Sequence, residues 1–252
     1  MTTWSDLRVE LAECTKVGVC PSFWWRDDDL GRQDSRLPLF WRIVDRVKVP
    51  ICAAVVPGWI DVGIADEIRG RTTISVVQHG SSHVAYCKLT EYPTFRNKKI
   101  VGDEIGSGWK RIKAVFGDKA FPIFVPPWNH ISPKFGSELE DLGFVAYSSR
   151  ILTGPWVNSN LGKVREIPVH VNTTRPGAIY IGDEVFLESI VRHLRARRKG
   201  LAHPIIPTGV LTHYFIDPVA FDAMEKLVDY VQIAGGRWCD GSDIVNIAAN
   251  LN

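Results

Sequence analysis

An α/β fold built on a parallel sheet is what this sequence predicts, and three observations predict it. Short apolar runs alternate with amphipathic stretches along the chain. Turn formers such as Pro50, Pro57-Gly58 and Gly117 punctuate the junctions. No repeat, low-complexity segment or long linker breaks the alternation, so residues 1–252 read as one domain. About seven strands in one domain can close into a (β/α) barrel, a unit that runs to about 250 residues. A doubly wound open sheet is the rival arrangement.

The elements follow in order. A first helix covers 4–15, and PSFWWR is a buried strand. Phe40, Ile43, Val44 and Val47 fall at helical spacing, so 35–48 is a helix that Pro50 ends. ICAAVV (51–56) and TISVVQ (73–78) are strands. Ile105, Trp109, Ile112 and Phe116 form one face of a helix that stops at Gly117. FPIFV (121–125) is a strand, 134–142 a short helix and FVAYS (144–148) another strand. Gly, Pro, Asn and Ser make 151–165 a long loop, and EIPVHV (166–171) reads as a strand. Leu187, Ile190, Val191 and Leu194 mark a helix, and PTGVLTHYF (207–215) a strand. Met224, Leu227, Val228 and Val231 mark another helix, and 241–250 a last one with Ser242 as its cap.

Composition narrows the function classes. A net charge of +2 leaves no nucleic-acid footprint. No apolar run approaches the roughly 20 residues of a membrane helix, and the N-terminal stretch lacks the apolar core of a signal peptide. A soluble cytoplasmic protein is expected, with no membrane partner and an oligomeric state that the sequence leaves open. Cys14, Cys20, Cys52, Cys87 and Cys239 form no CxxC and read as reduced, mostly buried thiols. The nine tryptophans read mainly as core, some as a surface for sugars or rings.

Chemistry collects where strands end. Asp27, Asp28 and Asp29 follow Phe23-Trp24-Trp25, although adjacent carboxylates repel each other and resist burial. A divalent cation is the simplest remedy for that crowding. His79 and His83, four apart after the third strand, can reach one ion if a turn follows the strand. Two histidines and a carboxylate leave positions open for water and substrate, as a catalytic ion requires. Pro126-Pro127-Trp128-Asn129-His130 follows the fourth strand, and His213 lies near the end of a late one.

RDDD (26–29), HGSSH (79–83), FVPPWN (124–129) and VLTH (210–213), in that order, resemble the motifs of the polysaccharide deacetylase superfamily. That superfamily is also known as carbohydrate esterase family 4, or the NodB-homology domain. The resemblance spans residues 20–215 and implies a distorted (β/α)7-type barrel. It also implies metal-dependent removal of an acetyl group from an N-acetylated sugar or glycan precursor, a hydrolysis at a non-peptide carbon–nitrogen bond. By position it makes Asp28 the general base, Asp29, His79 and His83 the ligands of a divalent ion, most naturally Zn²⁺, and His213 the general acid. Asp27 and Asp28 form the alternative register. Pro127, Trp128 and Asn129 would line the substrate site, with a backbone N–H of that loop completing an oxyanion site.

The pattern departs from the family in two places. The arginine that steadies the base aspartate is replaced by Val125, and Arg26 is the substitute at hand. The aspartate–tryptophan pair that supports the acid histidine has no match, and His170 or Trp156 lies in that part of the chain. Asp27, Arg26 and His170 are therefore read as supporting residues. Two other readings stand beside the first: an amide hydrolase with a non-sugar substrate, and a carbohydrate-binding barrel without turnover. His130, His193 and His203 read as surface residues, RHLRARRKG (192–200) as a solvated helix end, and Cys87 as no ligand.

Overall fold

The computed structural model describes residues 1–151, 153–154, 156 and 159–251. Parallel strands β1 (Ser22–Leu30), β2 (Ile51–Val55), β3 (Ile74–His79), β4 (Ala120–Val125) and β5 (Ala146–Tyr147) lie side by side in chain order. β6 (Arg165–Glu166) joins β5, while β7 (Val171–Asn172) joins β10 (Thr208–His213), and β10 returns to β1. β6 and β7 belong to one run. Its Ile167 and Val169 amides bond to Tyr147 and Ser149, and its His170 and Thr173 amides to Gly209 and Leu211. That run therefore closes the ring between β5 and β10. The barrel predicted from sequence is the fold. Its distortion has a cause in EIPVHV: Pro168 has no N–H to donate, and the expected single strand breaks there into two.

Alternation along the strands makes two cores. Trp24, Cys52, Ala54, Val77, Ile123, Val125 and Leu211 fill the barrel, and Ile244, Ile247 and Ala248 of α8 (Gly241–Ala249) pack into the same cluster from below. Phe23, Trp25, Val55 and Val76 face outward into a larger core. Helices α1 (Trp4–Lys16), α2 (Leu37–Val47), α4 (Lys98–Phe116), α6 (Asp183–Arg198) and α7 (Pro218–Ile233) bury their apolar stripes in it. Short α3 (Val62–Arg69), capped by Asp61, is a helix that the sequence reading did not expect. Short α5 (Gly136–Asp141) lies inside the stretch predicted as 134–142. The β8–β9 hairpin (Thr174–Arg175, Ile179–Tyr180) and β11 (Arg237–Trp238) were also unexpected. Asp240, not Ser242, caps α8. Leu152, Pro155, Val157 and Asn158 of the predicted loop 151–165 lie outside the described residues. Among the described residues no helix is long and apolar enough to cross a membrane. Cys14, Cys52 and Cys239 are buried free thiols, and Cys20 and Cys87 are exposed.

Two surface assignments are overturned. Arg197, inside the basic run, is buried and donates to the carbonyls of Ser22, Cys20 and Pro204. His193 is 1% exposed and stacks on His170, with ring centroids 3.4 Å apart. His170 Nδ1 accepts the Gly209 N–H at 3.0 Å, and His193 Nδ1 meets Thr208 Oγ1 at 3.0 Å. Burial pushes His170 down to about 3 and His193 well below its usual range. The unfolded chain, with ordinary values near 6.5, therefore takes up protons first as pH falls. The stability linked to these rings is complete above pH 6.5 and is lost as pH falls below it, for His170 down to about 3. Denaturant unfolding at pH 7, 6 and 5 is expected to show a loss on the order of 1.4 kcal/mol per pH unit per histidine below pH 6.5. His193→Phe should reduce that slope; a stability that stays flat down to pH 5 would refute the account.

Candidate metal and hydrolytic centre

Strand register sorts the three aspartates. Asp27 shares the outward parity of Trp25, and its carboxylate accepts from Thr212 Oγ1 and from the Tyr214 N–H at 3.1 Å. Complete burial pushes it well above the usual carboxylate range. It ties β1 to the end of β10 and does not face the rim cavity. Asp28 shares the inward parity of Trp24 and Arg26. Regular alternation would then send Asp29 outward. The β1–β2 register shifts between Asp27 and Leu30, and Asp29 takes φ +67°. That left-handed turn brings a second carboxylate inside, and Asp28 and Asp29 line the same cavity. Asp27, bonded to Thr212 and Tyr214, does not line the cavity that His79 lines.

The histidines reach Asp29 through a tight turn. β3 ends at His79, and Gly80 and His83 follow at φ +57° and +58°. At Gly80 a Cβ would lie 2.5 Å from Pro127 Cγ, so only glycine fits. Glu91, which the sequence reading missed, holds the turn. Its carboxylate accepts the N–H groups of Ser81 and Ser82, at 3.2 and 2.9 Å, and the Ser82 hydroxyl.

His79 Nδ1 donates to the Val125 carbonyl at 3.0 Å, which leaves the Nε2 lone pair facing Asp29 Oδ1 at 3.1 Å. His83 Nε2 lies 3.1 Å from the same oxygen. Two imidazole nitrogens aimed at one carboxylate oxygen need protons or a cation among them. The three ligand atoms lie within 4.8 Å of one another. Their 3.1 Å separations from Oδ1 match the roughly 3.3 Å edge of a tetrahedron with bonds of about 2.0–2.1 Å. The donor set therefore fits a divalent ion, and the His79–Val125 bond would be the outer contact that fixes the ring of such a ligand. As the cluster stands, its histidines hold Asp29 far below the usual carboxylate range against its burial.

Asp28 is gripped by Arg26, which is fully buried. Nη2 donates to Asp28 Oδ2 at 2.9 Å, and Nε lies 2.8 Å from Oδ1. The same guanidinium reaches across the barrel to Ser148, donating to its carbonyl at 3.1 Å and its hydroxyl at 2.7 Å, and also to Asn129 Oδ1. Val125 lies in the interior core. The partner that the motif pattern lacked at Val125 thus comes from within RDDD itself.

His213 faces the cluster from β10, with Nε2 4.0 Å from Asp29 Oδ2 and Nδ1 3.3 Å from Thr174 Oγ1. Burial pushes its imidazole below the ordinary range, although Asp28 and Asp29 pull the other way. The supporting group is a hydroxyl. His170 and Trp156 do not come to the rim; they pack with His193, and His170 bonds to the other end of β10.

A cavity of about 260 Å³ joins these groups, lined also by Leu89, Trp128, Asn129, Arg150, Asn172 and Leu211. The Trp128 ring lies 4.3 Å from the His83 ring. Trp128 and Asn129 both take positive φ, and the N–H groups of Asn129 and His130 are spent on Pro126 and Pro127 carbonyls. Pro127 is buried outside the cavity wall, so of the expected trio only Trp128 and Asn129 face the space. His130 and His203 are exposed as expected.

No family model matches this chain, and no curated protein is similar to it. Solved structures are similar in fold. A protein described as a polysaccharide deacetylase from Mycobacterium smegmatis superposes with a TM-score of 0.62 at 14% identity, covering 92% of this chain and 91% of that one. A family 4 acetyl xylan esterase from Clostridium thermocellum, in complex with a cobalt ion, gives 0.55 at 13% identity over 90% and 91%. A family 4 pseudoenzyme from Bacillus anthracis gives 0.59 at 15% identity over 90% of this chain and 66% of that one. With its barrel intact at so low an identity, the chain carries the fold of the carbohydrate esterase family 4 polysaccharide deacetylases in divergent form.

Proposed function

We propose that the protein is a metal-dependent hydrolase that removes an acetyl group from an N-acetylated sugar or glycan precursor. One observation carries the reading: a single Asp29 oxygen is faced at 3.1 Å by Nε2 of both His79 and His83, one ring locked by Val125. Asp29, His79 and His83 would hold a divalent ion, and two imidazoles with one carboxylate suit Zn²⁺. Such an ion, when bound, acidifies water and polarises an acyl carbonyl. Asp28, oriented by Arg26, takes a proton from the attacking water. His213, entering the step as the imidazolium, gives its Nε2 proton to the departing amine, and the proton that Asp28 took from water recharges the ring for the next turnover. Thr174 Oγ1 can accept from Nδ1 or donate to it, so the contact serves both protonation states of the ring. Trp128 offers an apolar wall, and the backbone N–H of Trp128 is the donor of its loop left for the developing oxyanion.

The test pairs metal analysis with acetate release from N-acetylated amino sugars and from simple N-acyl amides. Asp28→Asn is expected to keep the ion and lose hydrolysis by about 10²-fold or more. Loss of the ion in Asp28→Asn, or an unchanged rate, contradicts the base assignment. Bound sugar with no acetate release in the loaded wild type would mark a binding barrel instead.

A further inference from the structure

The cavity wall carries one charge that the proposed reaction does not use. Arg150, just beyond β5, lines the same space as Asp28, Asp29, His79, His83 and His213. Its residue is exposed, and among the described residues no carboxylate pairs with it. The acids on that wall are Asp28 and Asp29, and both are committed, one to Arg26 and the other to the two histidines. With a divalent ion in place, positive charge on the wall exceeds negative charge.

Asn172 adds a second donor. Its Oδ1 accepts the Thr174 N–H at 3.1 Å, which leaves the amide NH₂ for the cavity that Asn172 lines. Arg150 pairs with Val169 on the neighbouring stave, and Asn172 lies further along that stave toward the rim. Asn172 is also in register with Leu211, next to the His213 side of the cavity. Both donors thus stand on the side where the amine departs. A guanidinium fork matches the paired oxygens of a carboxylate or phosphate. A volume of about 260 Å³ falls short of the roughly 300–1,000 Å³ of sites for drug-sized ligands, and suits a single ring with its substituents.

We propose that Arg150, helped by the Asn172 carboxamide, anchors an anionic oxyacid group on the amine side of the substrate. The compound taken is then a small N-acyl species bearing a carboxylate or a phosphate, not a neutral sugar chain. This rests on the hydrolase reading above. The specificity comes from a charge that a neutral substrate leaves unpaired.

Calorimetric binding and acetate release are measured on the zinc-loaded protein with N-acetylglucosamine, N-acetylmuramic acid and N-acetylglucosamine 1-phosphate. The wild type is expected to prefer at least one charged probe over the neutral one by on the order of tenfold or more, and the preferred probe names the anion. Arg150→Gln should abolish that ratio, mainly through KM. Arg150→Lys should restore part of it, because it keeps the charge and loses the fork. Equal binding of all three probes to the wild type, or a preference untouched in Arg150→Gln, overturns the proposal. Charge-selective binding without acetate release leaves the anchor standing and sinks the hydrolase reading. Acetate release without charge preference does the reverse.

Discussion

His79→Ala is expected to yield a folded protein that no longer retains a divalent ion. The ring offers one of the three atoms proposed to hold the ion, and its Nδ1–H is also the partner of the Val125 carbonyl. Loss of an outer partner alone weakens metal binding by 10–100-fold, so removal of the ligand itself should exceed that range. The fold should survive, because the ring sits at the rim end of β3 and outside both apolar clusters. Leaving the buried Val125 carbonyl without its partner costs about 1–3 kcal/mol, less than the roughly 5–15 kcal/mol of a domain's stability. Metal content after dialysis, read beside the circular dichroism melt, checks both halves. Stoichiometric ion in a folded His79→Ala, or none in the wild type after exposure to zinc, would remove Asp29, His79 and His83 as a metal site. His83→Ala separates the two roles of His79: it removes the other nitrogen proposed as a ligand, from a partly exposed ring that among the described residues meets Asp29 and no strand carbonyl, and should lose the ion at still smaller structural cost.

The parts of this site that were legible in the sequence are those written in local spacing. The strand runs, the His79–His83 interval and the three aspartates at a strand end are all local, and the helix periods placed α2, α4, α6 and α7. The inward turn of Asp29 was not legible from alternation, since a bulge and a left-handed φ reverse the side that period 2 assigns. The assignment of Asp28 and Asp29 rests on the motif pattern, and both carboxylates line the same cavity. Arg26 could be named as a substitute, but its bonds to Ser148 and Asn129 exist only once the barrel brings β1 opposite the ends of β4 and β5. Glu91 and Arg150 carry no motif at all. One reaches back to the HGSSH turn from a loop, and the other is an ordinary arginine until the closed barrel gives it a cavity to line. His193 was misplaced because a helix position in a basic run reads as solvent, whereas contact with His170 and Thr208 buries it.

His213→Ala is expected to bind metal and substrate and to lose turnover of the amide by roughly 10² to 10⁴. Its Nε2 is 4.0 Å from Asp29 Oδ2, the oxygen opposite the one that faces His79 and His83, so the ring would border a bound ion without holding it. An amine is a poor leaving group unless protonated as the bond breaks, and on the proposed reading this ring, which lines the cavity, supplies that proton. The residue ends β10 and its backbone pairs in register with Asp28, so truncating the side chain leaves the strand pairing intact. The contrast lies in the leaving group. An activated acetate ester, whose phenolate departs without a proton, should lose far less in His213→Ala than the amide does. Thr174→Val supplies the control for orientation: it removes the hydroxyl 3.3 Å from Nδ1 but keeps the acid, and should lower the amide rate by less than His213→Ala. Rates on amide and ester, with metal content measured on each variant, decide the matter. An equal loss on both substrates would mean that His213 shapes the cavity or holds the strand end, and the assignment of a proton donor there would be wrong.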